Sequence, residues 1–278
     1  MSRVVSSSLY LPFPANKGAV LNRGLVCWLI NLPNKAWGGG LSIRDIWSGK
    51  YNGTFLNGAT WNPMARLNGF GSVSVEATGD TMDMGRVTEL DGSATATISC
   101  WLWRGSTSNT VSFSRDAAFA SDRVGIYFFS DGNTYYIVDT GSGQAYRVIS
   151  NNVTGWHHFA LVYDGGLVGA ARITAYLNGV SVAGSSVGTP PATIPSVAST
   201  FKLGQVNGAT TDTGKADDMR IYNRALDASE VNQLYHASLR GYLNEINWNK
   251  FILSHVPTGG ATLVKDFIMA GMIPFARS

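Results

Sequence analysis

The sequence predicts an all-β protein, a two-sheet antiparallel jelly-roll sandwich with one short helix near its end and extended terminal arms. Three observations predict it. Strand-like apolar runs recur roughly every 8 to 15 residues, and the clearest of them alternate with period two. Glycine is abundant, at 32 of 278 residues, and Asn-Gly or Asp-Gly pairs separate the runs, as tight turns between strands require. One stretch alone combines helix-start chemistry with an apolar stripe.

Residues 1–22 contain Pro12 and Pro14 and no periodicity, and read as an N-terminal arm. Gly24 to Leu32 is apolar and reads as a buried strand, and Trp37 to Gly40 as a glycine-rich turn. Asn52-Gly53 and Asn57-Gly58 are expected to turn hairpins, because both residue types tolerate positive φ. Short strands follow at Gly71 to Val75 and Thr81 to Met84. From Ala96 to Trp103, Ile98, Cys100 and Leu102 alternate with Thr97, Ser99, Trp101 and Trp103, a period-two strand with one strongly apolar face. Strands are expected over 111–114, 123–129, 134–139 and 145–150, with Asp131-Gly132-Asn133 turning the middle pair.

Trp156 to Tyr163 and Arg172 to Leu177 form the best-defined pair, joined at Asp164-Gly165-Gly166. Asn178-Gly179 then turns the chain into Val180 to Ala183. Residues 184–199 hold Pro190, Pro191 and Pro195 and read as a long surface loop or sheet edge. Strands return at Phe201 to Gly204 and Asp217 to Tyr222. Leu226 to Tyr235 is the helix: Asp227 as N-cap, Glu230 completing a capping box, and Val231, Leu234 and Tyr235 as its apolar stripe. Residues 241–278 carry Phe251-Ile252-Leu253, Phe267-Ile268-Met269 and Met272-Ile273-Pro274-Phe275, short apolar pieces that do not make a core alone. They are expected to form a C-terminal arm on the domain or on a neighbouring subunit. The expected division is therefore 1–22, 23–240 and 241–278.

Charged residues are only 14% and the net charge is +3. No basic run with interleaved aromatics is present, which argues against a nucleic-acid partner. No apolar run has the length of a membrane span, so no membrane insertion is expected, and the N-terminus lacks a secretory apolar region. Cys27 and Cys100 each lie in an apolar run and are expected to be buried free thiols.

Two stretches are more specific. The first runs from Gly155-Trp156-His157-His158-Phe159 through Tyr163-Asp164-Gly165 and on to Tyr176-Leu177-Asn178-Gly179. The second is Gly214-Lys215-Ala216-Asp217-Asp218-Met219-Arg220-Ile221-Tyr222-Asn223-Arg224-Ala225-Leu226, followed by Ser229-Glu230. With Asp45, Ser48-Gly49 and Asn52-Gly53-Thr54 as a first hairpin, they resemble the laminin-G-like, concanavalin A-like lectin/glucanase jelly-roll family over roughly residues 22–240. The resemblance implies the fold. It fixes no single function, because one fold hosts many.

Catalysis is not expected. A glycoside hydrolase needs two positioned carboxylates, and the related glucanases carry Glu-x-Asp-x-x-Glu on one strand. The four glutamates here, Glu76, Glu89, Glu230 and Glu245, never start that pattern. Glu76 and Asp80 are the nearest pair and flank a turn. His157 and His158 are adjacent and face opposite sides of a strand, so they make no two-histidine metal face, and His158 reads as a hydrogen-bonded structural residue. Asp217 and Asp218 are likewise expected on opposite faces. The resemblance implies that an Asp of this pair, taken as Asp217, helps hold one structural calcium ion with backbone carbonyls. Trp37, Trp47 and Trp61, in expected loops, are the candidate sugar-stacking residues. Trp28, Trp101 and Trp156, in strands, are expected in the core.

The expected function is a non-enzymatic structural protein of a virion, capsid-decorating or tail-associated, with glycans as possible ligands. It would contact copies of itself or other virion proteins through residues 1–22 and 241–278. A carbohydrate-binding adhesion module of a cell surface is the first alternative, and an atypical glycoside hydrolase the second.

Overall fold

The structure, a computed structural model, describes residues 20–30, 41–62, 71–115, 122–141, 143–204 and 213–238. In chain order the strands are β1 (Leu25–Leu29), β2 (Ser42–Ile43), β3 (Gly53–Leu56), β4 (Thr60–Asn62), β5 (Ser72–Val75), β6 (Thr81–Asp83), β7 (Thr95–Arg104), β8 (Val111–Arg115) and β9 (Val124–Phe128). They continue as β10 (Thr134–Val138), β11 (Tyr146–Ile149), β12 (Gly155–Asp164), β13 (Ile173–Leu177), β14 (Val180–Ser181), β15 (Ser185–Val187), β16 (Phe201–Gly204) and β17 (Gly214–Tyr222). A helix, α1, covers 228–238 of the described residues.

These strands form two antiparallel sheets. The first runs β14-β13-β12-β7-β17-β5-β4, with β1 also on β17; the second runs β15-β11-β10-β9-β8-β16-β6-β3-β2. The all-β, two-sheet reading with one short helix is therefore what the chain adopts. Apolar side chains at alternate positions meet between the sheets. Ile98, Cys100 and Leu102 of β7 and Phe159 and Leu161 of β12 face Phe113 of β8 and Ile126 and Phe128 of β9 in one continuous core. Phe128 meets Phe159 edge-to-face at 5.1 Å, across the sandwich.

The helix begins where its sequence says it should. Glu230 N–H donates to Asp227 Oδ1 at 2.8 Å, and Asp227 N–H donates to Glu230 Oε2 at 3.0 Å, a reciprocal capping box. Val231 and Leu234 are buried. Tyr235 lies beside Trp101 at 5.8 Å and His158 at 5.8 Å, so the helix covers part of the outer face of the first sheet.

Four expectations are corrected. Asn52-Gly53 does not turn a hairpin: Gly53 already starts β3, and Asn52 instead closes the wide β2–β3 loop, accepting from Asp45 N–H and donating to Gly49 O. Asn57-Gly58, with Asn57 at φ 60°, carries the chain from β3 in one sheet to β4 in the other. Trp28 and Trp101 are buried, but on the outer face of the first sheet, since Cys27, Leu29, Cys100 and Leu102 take the inner positions. Finally, Asp217 and Asp218 lie on one face. Register between β17 and β7 shifts between Asp217 and Arg220, and Asp218 has φ 49°. This bulge adds a residue and turns the second carboxylate outward beside the first. At the same point β17 changes partner on its other edge, from β5 along Gly214 to Ala216 to β1 along Met219 to Tyr222.

The N-terminal arm falls outside the described residues except for a single 3-10 turn at Val20–Asn22, and the arm at 241–278 falls wholly outside them. So does Trp37.

Candidate functional site

Trp47 sits in the β2–β3 loop, partly buried, with its N–H donating to Asp45 Oδ1 at 3.0 Å. That loop wraps around the Asp45 carboxylate, which also receives the N–H groups of Trp28, Ser48, Lys50 and Tyr51. Trp61 is a strand residue of β4 and packs against the core. The ring lies over Gly71, where a Cβ would stand 2.5 Å from its Nε1. Trp47 thus belongs to a loop of one sheet, and Trp61 is used in the packing of the other.

Glu76 is exposed and pairs with Lys215 at 3.3 Å, whereas Asp80 is buried and caps the turn by accepting the N–H groups of Glu76 and Ala77. His158 is buried, with Nε2 2.9 Å from Ser99 Oγ, and its backbone N–H donates to Asn178 Oδ1. The hydrogen-bonded reading of His158 holds.

Asp217 is buried opposite Trp101 on β7. Its neighbour Asp218 accepts the indole N–H of Trp28 at 2.6 Å and both Nε and Nη2 of Arg220, at 2.8 and 3.0 Å. Burial works against the Arg220 charge, but Asp218 outweighs it and holds the guanidinium pKa above its ordinary value. Calcium wants six or more oxygens. Among the described residues no group of three or more His, Cys, Asp or Glu is arranged for a metal, and the second carboxylate of the pair is committed to an arginine. That leaves Asp217 and backbone carbonyls as the oxygens that would hold the calcium implied by the resemblance.

A different set of residues comes together on the outer face of the second sheet. β9 and β10 pair with Tyr127 opposite Tyr135, and β10 and β11 pair with Ile137 opposite Tyr146. Because Ile126, Phe128 and Tyr136 fill the inner positions, period-two geometry sends Tyr127, Phe129, Tyr135 and Tyr146 outward. There they form a ladder. Tyr127 stacks on Phe129 at 5.8 Å and 5°, Phe129 meets the edge of Tyr135 at 4.8 Å, and Tyr135 meets Tyr146 at 5.2 Å. Phe129, Tyr135 and Tyr146 are partly exposed, while Tyr127 and Ile137 are buried beneath them as a small second apolar cluster.

The ladder has a polar end at the β9–β10 turn. Asp131 accepts the Tyr135 hydroxyl at 2.6 Å and both the N–H and the side-chain amide of Asn133 at 2.9 Å. Burial opposes the Asp131 charge, but these donors, Tyr135 first, lower its pKa below the ordinary carboxylate value. Underneath, Arg104 is fully buried and donates to Val153 O at 2.7 Å and to Gly132 O, with its guanidinium 4.5 Å above the Phe128 ring. Arg104 thereby ties the turn to β7 and to the loop before β12. Sequence reasoning looked for tryptophans in loops and passed over these rings. The signal available was aromatic residues on both faces of Ile126-Tyr127-Phe128-Phe129 and Tyr135-Tyr136, more than one core can absorb.

A family model described as the concanavalin A-like lectin/glucanases superfamily matches residues 76–232. No curated protein sequence matches. Solved structures that match include the receptor-binding domain of botulinum neurotoxin D, at 14% identity and TM-score 0.57, covering 78% of this chain and 54% of that one. Another is botulinum neurotoxin type C, whose cell entry is dependent upon interaction with two ganglioside molecules, at 14% identity and TM-score 0.52 over 79% and 52% of the two chains. A third is the binding domain of botulinum neurotoxin DC in complex with SialylT, at 12% identity and TM-score 0.51 over 78% and 52%. The chain spans about half the length of these structures, and the likeness is one of fold.

Proposed function

We propose, for a chain that belongs to the concanavalin A-like lectin/glucanases superfamily, a non-enzymatic glycan-binding role centred on the outer aromatic ladder of the second sheet. One observation carries this reading: partly exposed rings of Phe129, Tyr135 and Tyr146 run in contact across three strands and end at a fixed carboxylate, Asp131. Sugar sites combine apolar ring surface with a few placed polar groups, and this ladder supplies both on rigid strands. Carboxylates that hydrolysis would need are engaged elsewhere, Glu76 by Lys215 and Asp80 by its own turn. Receptor-binding among the structural neighbours supports the same class. The test is a glycan array probed with the wild-type chain and with Tyr135→Ala and Tyr146→Ala. Saturable signal that both substitutions abolish is expected. A blank array, or signal indifferent to both, sinks the reading.

We also propose a virion as its setting, in which residues 1–22 and 241–278 clasp neighbouring subunits. The support is compositional: three short apolar pieces separated by Pro and Gly do not suit an independent core. Sedimentation of the full chain and of residues 23–240 tests it. A defined oligomer that dissociates when the arms are removed is expected, and unchanged assembly rejects the proposal.

A further inference from the structure

The aromatic ladder has an unbalanced charge. Within 129–135 and 144–148 the only ionisable residues besides tyrosines are Asp131 and Arg147. Asp131 is exposed at the turn, beside the Tyr135 ring. Arg147 is on the opposite side of its strand. Its register partner Tyr136 is a core residue, and its Nη2 donates to Ala170 O at 3.3 Å. Arg104, beneath the turn, is fully buried, with its N–H groups on the carbonyls of Val153, Thr107 and Gly132. Within these two segments an incoming anion therefore meets the exposed Asp131 carboxylate and no cation on the same side of the strands.

The carboxylate is also set up to accept. Asn133 N–H occupies Oδ1; Asn133 Nδ2 and the Tyr135 hydroxyl occupy Oδ2. A carboxylate offers about four acceptor directions, so Oδ1 has room for one more donor, and a sugar hydroxyl is the donor that a stacked ring would present. We infer that Asp131 is the specificity-determining residue of this platform, accepting a hydroxyl from uncharged sugars and rejecting carboxylate-bearing ones. This rests on the glycan-binding reading above.

The experiment uses matched pairs of array glycans that differ only in a terminal sialic acid, with the full chain as wild type and as Asp131→Asn. At low salt the wild type is expected to bind the neutral member of each recognised pair about tenfold better, the scale of a like-charge contact near a surface. The gap should shrink at 1 M NaCl, where such a contact is screened. Asp131→Asn, which removes the charge and keeps the size, should close the gap without salt. Sialylated members bound as well as or better than neutral ones by the wild type would overturn the inference and leave glycan binding standing. A neutral preference that persists undiminished in both high salt and Asp131→Asn would also overturn it. No binding to any pair would remove the glycan reading itself, and this inference with it.

Discussion

Asp218 is an aspartate at φ 49°, inside a strand and 3% exposed. That backbone region is costly for any residue with a Cβ, and the carboxylate repays it by neutralising Arg220 and accepting Trp28 Nε1. Arg220 in turn lies 4.2 Å over the Trp28 ring. Asp218→Ala leaves a buried guanidinium without its carboxylate and should cost about 3–5 kcal/mol, read from urea melts. Asp218→Gly loses the same ion pair but relaxes the backbone, so it should be less destabilised than Asp218→Ala; equal losses would mean that φ carries no strain. Asp45 contributes to the acid response. Burial would raise its pKa, but the Ser48 hydroxyl and the N–H groups of Trp28 and Trp47 outweigh burial and lower it. A carboxylate whose folded pKa lies below its unfolded value of about 3.9 adds full stability above that value. The contribution is lost as pH falls through the folded pKa. The stability gap between wild type and Asp45→Asn should therefore be widest near pH 7 and narrow below about pH 4, measured by urea melts at pH 7 and pH 3. A gap that stays constant would show that the cage does not favour the ionised form.

At the scale of elements, the Asn178-Gly179 turn positions the helix. Both residues have positive φ, 50° and 78°, as a two-residue hairpin turn demands. A Cβ on Gly179 would also stand 2.9 Å from Tyr235 Cβ, an atom too close to the helix backbone to swing away. Gly49, at φ 70°, has nothing within 4 Å of the same position. Gly49→Ala should then cost about 1 kcal/mol from backbone alone, and Gly179→Ala clearly more, seen as a larger drop in melting temperature; equal drops would mean the helix does not press on the turn. Elements were the most legible scale in the sequence. Period-two runs, the Asn178-Gly179 and Asp131-Gly132-Asn133 turns and the Asp227–Glu230 capping box are local, and local chemistry decides them. The bulge at Asp217–Asp218 was not legible, because it reflects a change of strand partner far away in sequence. Nor was the Phe129–Tyr135–Tyr146 ladder, since both faces of β9 and β10 are apolar and alternation alone does not say which face turns inward.

Over the whole molecule, Cys27 and Cys100 report on global opening. Both are free, fully buried, and burial raises their thiol pKa values. A thiol reagent should modify neither in the native state, reaction should follow unfolding, and reductant should leave the melting temperature unchanged. Fast modification of either thiol under native conditions would contradict the packing. The sandwich class and the family were visible in Trp156 to Gly165 and Gly214 to Leu226, whereas the family model matches residues 76–232. Sheet membership was not, since the order β7-β17-β5 joins residues more than a hundred positions apart and only the folded chain pairs them.

That order has a consequence for how the protein is made. β17 is the last strand described, yet it lies between β7 on one side and both β5 and β1 on the other. On a ribosome, β1, β5 and β7 emerge long before the segment that joins them, so the nascent first sheet exists in three pieces, β14-β13-β12-β7, β5-β4 and β1, with unpaired edges. A product terminated ahead of Gly214 would keep those edges open, presenting chaperones and proteases with a template for strand addition. Emergence of β17, rather than of any earlier strand, is the event that joins the sheet.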